Sequence, residues 1–84
     1  MNTFVKTFKS EYHFGGICRV QKSLSMLFVE FGDINNRDCL GKVIDMNNER
    51  PNRMPWKTDL KMFLEENTSS YYAEKIFDYI IERV

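Results

Sequence analysis

The chain has 84 residues and a mass of 10.0 kDa, and its 12 Lys and Arg are balanced by 12 Asp and Glu, giving zero formal charge. A chain of this mass folds to a surface of roughly 5,200 Å² and buries about 60% of what the unfolded chain exposes, enough for one modest core but not for two lobes with a cleft between them. Hydrophobic residues at 43% and aromatics at 14% exclude a disordered tail, and the even charge argues against a general binder of nucleic acid or anionic membrane.

Taken in chain order, residues 3–9 alternate loosely and predict a first strand. Residues 12–21 alternate more cleanly, with Tyr12, Phe14, Gly16, Cys18 and Val20 on one face and His13, Gly15, Ile17, Arg19 and Gln21 on the other. The Gly15-Gly16 pair predicts a bulge, a bend or a close backbone approach. Residues 24–31 are apolar on both faces and suit a central strand; residues 32–38 are dense in turn formers, and a fourth strand is expected at about 39–46. Short links between consecutive strands imply an antiparallel meander.

The character of the chain changes near Pro51, after a loop at 47–54. Trp56, Leu60, Phe63 and Leu64 follow helical spacing and predict a helix of about 55–66, with Pro55 at its first position; Thr58 as N-cap is the alternative start. The run 67–70 breaks the chain and offers a cap for a second helix of about 70–83, whose stripe is Tyr72, Ala73, Ile76, Phe77, Ile80, Ile81 and Val84. The expected fold class is α+β, one domain over 1–84: a four-stranded antiparallel sheet (1–46) followed by a C-terminal two-helix hairpin (55–84) packed on one face.

No stretch approaches the ~20 apolar residues of a membrane span, and the N-terminal residues lack the pattern of a signal peptide, so the chain reads as an intact cytoplasmic protein. Catalytic and metal chemistry finds little support. His13 and Cys18 lie on opposite faces of a predicted strand, the wrong arrangement for a thiolate–imidazole pair. The turn at Asp33 begins like a calcium loop, but Arg37, Asp38 and Ile44 stand where a ligand, a glycine and a bidentate Glu are needed. Cys18, Cys39 and His13 are too few for a closed zinc site, Gly15-Gly16 opens no phosphate loop, and Glu65-Glu66 reads as a solvated helix end. The expectation is a protein with no cofactor, no metal and no catalytic residue.

Charge is unevenly placed: residues 1–57 carry net +3 and residues 58–84 net −3. On the second helix, Glu74, Asp78 and Glu82 recur every four residues, an acidic stripe able to occupy a basic groove on a nucleic-acid enzyme. Trp56, Tyr71 and Tyr79 are candidate aromatic anchors for a partner, with core or core-margin packing as their ordinary alternative. Apolar side chains fall on both faces of the predicted sheet, so the face away from the helices needs a cover: the 47–54 loop, a second copy or a target protein.

In size and style the chain is similar to accessory proteins of bacteriophages or mobile elements, though it carries no family motif. The expected function is a small non-enzymatic protein-binding module; its sharpest form is an inhibitor of a host nucleic-acid-processing or defence enzyme that acts by surface blocking. The alternatives are a single-stranded nucleic-acid or RNA-binding module using Lys6, Arg19, Lys22 and the sheet aromatics, and a structural homodimer.

Overall fold

The computed structural model describes residues 3–9, 16–33, 40–47 and 54–84. Strands β1 (Phe4–Lys9), β2 (Gly16–Ser23), β3 (Met26–Asp33) and β4 (Leu40–Asp45) form one sheet in the order β1-β2-β3-β4, every neighbouring pair antiparallel. Helices α1 (Trp56–Asn67) and α2 (Ser70–Arg83) follow, so the molecule is an α+β meander with a helical pair on the sheet. Among the described residues no helix is long and apolar enough to cross a membrane.

Strand register decides which residues face the helices. Three rows run across the covered face: Phe8–Cys18–Phe31–Leu40, Lys6–Val20–Val29–Lys42 and Phe4–Lys22–Leu27–Ile44. Their apolar centres meet Leu60 and Leu64 of α1 and Ala73, Ile76 and Ile80 of α2 in one buried cluster, margined by Phe4, Phe8, Phe31, Trp56, Phe63 and Phe77. Each fully buried Leu, Ile or Val contributes about 1.5–3 kcal/mol relative to exposure, so this cluster supplies the main drive to fold. The sheet edges are fastened separately. Tyr79 of α2 meets Phe4 and Phe8 of β1 edge to face, at ring-centroid distances of 5.8 and 5.3 Å. At the other edge, Lys42 of β4 pairs with Asp59 of α1 at 3.2 Å and lies 6.0 Å from the Phe63 ring.

Helix ends follow from their sequences. Ser69 caps α2, its Oγ accepting from the Tyr72 backbone N–H at 3.4 Å, in a capping arrangement worth about 1 kcal/mol. Pro55 occupies the cap position of α1 and not the first helical position; its carbonyl accepts from the Asp59 N–H, and no side chain caps the helix, so Thr58 lies inside it.

The β2–β3 hairpin departs from the expected boundaries. β2 runs on to Ser23 and β3 starts at Met26, leaving a two-residue turn of Leu24 and Ser25. The predicted strands ended at 21 and began at 24 because neither turn residue is Gly, Asn or Asp. Leu24 takes φ 56° and is, among the described residues, the one non-glycine with positive φ, the pattern of a type II′ hairpin that favours Gly at this place. The conformation costs a leucine about 1–2 kcal/mol, and Leu24 is 62% exposed, so little packing offsets it. Leu24→Gly is therefore expected to raise stability by about 0.5–1 kcal/mol after glycine's own entropic cost, read as a higher urea midpoint at unchanged slope. A lower midpoint would show that the leucine side chain contributes more than its conformation costs.

Residues 12–15, including His13 and the first glycine of the pair, lie outside the described residues, as do most of the expected turn at 32–38, Cys39 at the expected start of the fourth strand, and most of the expected 47–54 loop.

Candidate interaction surfaces

The acidic stripe is solvent-facing. Glu74, Asp78 and Glu82 are all exposed, and Tyr71, also exposed at 61%, belongs with them. At 100° per residue the positions 71, 74, 78 and 82 span an arc of about 80° and a length of about 16 Å. The spacing that joins Tyr71 to the carboxylates is legible in the sequence.

The cations nearest this ridge are engaged by aromatic rings. The Lys75 ammonium lies 4.6 Å from the Tyr71 ring centroid, and a hydrogen bond to the Tyr71 side chain raises its pKa above the ordinary lysine value. Arg83 stacks 3.5 Å from the centre of the Tyr79 ring, donates to the Tyr79 carbonyl at 3.1 Å, and reaches Glu82 at 3.5 Å in an exposed pair of small energetic weight. Among the described residues, Glu74 and Asp78 have no ion-pair partner within 4 Å. Two neighbouring carboxylates thus project uncompensated, a placement that disfavours the helix by a few tenths of a kcal/mol.

Only one of the three aromatic candidates is exposed. Trp56 is half-buried against the core at the start of α1, and Tyr79 is held in the β1–α2 clasp; Tyr71, T-shaped against Tyr72 at 5.5 Å, stands outside.

The basic candidates do not share a face. Lys6 and Lys22 point to the helix side of the sheet and Arg19 to the other. Lys6 lies 5.6 Å from the Tyr79 ring and 5.9 Å from Phe8, while Lys22 is 8% exposed. Even-numbered β2 positions face inward, which carries Lys22 to the same side as Cys18 and Val20. Lys22 borders an open cleft of about 550 Å³ at the end of the sheet, with Leu24, Met46, Asn47, Trp56 and Val84 on its walls. Among the described residues on its walls, Lys22 is the one ionisable side chain. Burial pushes the Cys18 thiol up to about 12, so at neutral pH it is a protonated, enclosed side chain and not a nucleophile.

The sheet face away from the helices is the surface that the sequence leaves least defined. Its rows are Val5–Gln21–Phe28–Val43 and Thr7–Arg19–Glu30–Gly41, flanked by Ile17 and Met26. Val5 and Val43 are 53% and 55% exposed, and Phe28, Met26 and Ile17 are half-buried. Arg19 and Glu30 stand opposite each other on neighbouring strands, both exposed, yet make no ion pair within 4 Å. The Glu30 side chain leans the other way, over Gly41, where a Cβ would lie 3.4 Å from its Cγ.

No family model, curated protein or solved structure matches the chain. The functional reading therefore rests on the chemistry of these surfaces.

Proposed function

We propose that this chain is a small, non-enzymatic binding module that acts in the cytoplasm by covering a basic surface on another protein, in its sharpest form an inhibitor of a nucleic-acid-handling or defence enzyme. The observation that carries this reading is the outer ridge of α2. Glu74, Asp78 and Glu82 line up beside the exposed ring of Tyr71, and Lys75 and Arg83 are turned onto tyrosine rings. A row of carboxylates at helical spacing imitates the charge of a phosphate track, and an aromatic ring at its end supplies the apolar contact that charges alone do not. The competing nucleic-acid reading needs Lys6, Arg19 and Lys22 on one surface, and these residues divide between two faces.

Binding is tested with the whole chain as immobilised bait in nuclease-treated lysate of the cell that carries the gene. The triple variant Glu74→Lys, Asp78→Lys, Glu82→Lys is expected to weaken capture of the retained protein at least ~10-fold, while Arg19→Glu leaves it unchanged. Capture that disappears with nuclease, or that survives the triple charge reversal, would overturn the proposal.

A further inference from the structure

The outer sheet face carries signs of a partner of its own, independent of the α2 ridge. Its basic residues, Lys9 and Arg19, lie on β1 and β2; its acidic residues among those with described side chains, Glu30 and Asp45, lie on β3 and β4. Between them runs the apolar band of Val5, Phe28 and Val43. A surface with one sign on one half and the opposite sign on the other is complementary to itself under a two-fold rotation.

We propose that the outer face of the sheet binds a second copy of this chain, forming a two-fold dimer in which Arg19 of each protomer pairs with Glu30 of its partner. The register defines the symmetry. A two-fold axis parallel to the strands, between β2 and β3, lays β1 over the partner's β4 and β2 over its β3. It keeps positions of one row at one height. Arg19 and Glu30 share a row, so the rotation brings Arg19 over Glu30 twice; it also brings Val5 over Val43 and Phe28 over Gln21. Facing sheets pack about 10 Å apart, a distance an arginine and a glutamate bridge together.

The size of the face agrees with this occupant. Four strands about 4.8 Å apart and about seven residues of 3.4 Å each give a footprint of roughly 450 Å² per protomer, or ~900 Å² for the pair before side-chain relief. That is close to the ~1,000 Å² at which specific interfaces begin, the size of a weak and reversible contact.

Sedimentation of the whole chain at low salt, from about 1 to about 500 µM, tests the dimer. The expected result is a rise from 10.0 kDa towards twice that mass. Arg19→Glu and Glu30→Arg should each weaken association at least ~30-fold, because each places two like-charge pairs across the axis. The equimolar mixture of the two variants, and the double variant Arg19→Glu/Glu30→Arg, should both restore it. Both positions are exposed, and thermal melts of the variants verify that each remains folded. A monomer throughout the range, a dimer insensitive to either reversal, or variants that fail to recover on mixing would overturn the proposal. The α2 triple reversal leaves this dimer intact, so failure of either reading is distinguishable from failure of the other.

Discussion

Leu64→Ala is expected to cost about 3 kcal/mol of folding stability, within the 2–5 kcal/mol span of leucine truncations in closed cores. Leu64 has no exposed surface and sits on the buried side of α1 with Leu60. Alanine is as good a helix former as leucine to within a few tenths of a kcal/mol, so the loss is one of packing and not of helix propensity. A domain of 84 residues has about 4–13 kcal/mol in total, and each kcal/mol moves the melting temperature by about 4–8 °C. The variant should therefore melt more than about 12 °C below the parent, with an unchanged denaturant slope. A drop under about 4 °C would mean that the two helices repack around the vacancy, and that the core is less closed than its zero exposure implies.

Tyr79→Ala is expected to act more locally. The Tyr79 ring is shared by four neighbours: Phe4 and Phe8 edge to face, the Lys6 ammonium at 5.6 Å and the Arg83 guanidinium at 3.5 Å. Removing a ring from such a site costs about 2–4 kcal/mol, of which each edge-to-face pair accounts for roughly 0.5–1.5. β1 is an edge strand with exposed Val5, Lys6 and Thr7, held on one side by its ladder to β2 and on the helix side by Phe4 and Phe8, which meet this ring. Amide exchange in β1 should accelerate more than exchange in β3, which would keep both neighbouring strands. Tyr79→Phe retains the ring and should cost less than about 1 kcal/mol, since the neighbours contact the ring itself. Uniform acceleration across all four strands would show that the clasp belongs to the global core.

The helical half was the more legible part of this fold. The stripe of α2 repeats Ile76, Phe77, Ile80 and Ile81 at a spacing that only a helix can bury, and the Ser69 cap stands where the chain must turn. The four-strand order also followed from pattern, because short links between consecutive strands leave few arrangements other than a meander. Register was harder. It depends on a turn made by Leu24 and Ser25, residues that announce no turn, and a slip of one residue reverses every side chain. Lys22 lies beyond the predicted strand end at residue 21, and only the continuation of β2 to Ser23 sets it on the side opposite Arg19. The candidate surfaces were legible in the same proportion. Glu74, Asp78 and Glu82 needed only helical periodicity, whereas the opposition of Arg19 and Glu30 needed cross-strand pairing, which no single stretch of chain encodes.

The apparent division of charge also gains a physical meaning. The basic first half and acidic second half of the chain are not simply poles, because Lys42 and Asp59 join them through a 3.2 Å ion pair across the sheet–helix boundary. The excess positive charge that remains is partly covered by aromatic rings, and the excess negative charge is concentrated on the outer side of α2.

Lys6 and Lys42 sit on the covered side of β1 and β4, the two strands that end the sheet. A strand arriving at either margin would have to lay its own apolar side chains against an ammonium group, which is costly to strip of water. Lengthening of the sheet from chain to chain is thereby discouraged at both ends. In the proposed dimer, stacking face on face uses up the outer surface after a single partner, so association through that face would stop at two chains and not extend into fibres.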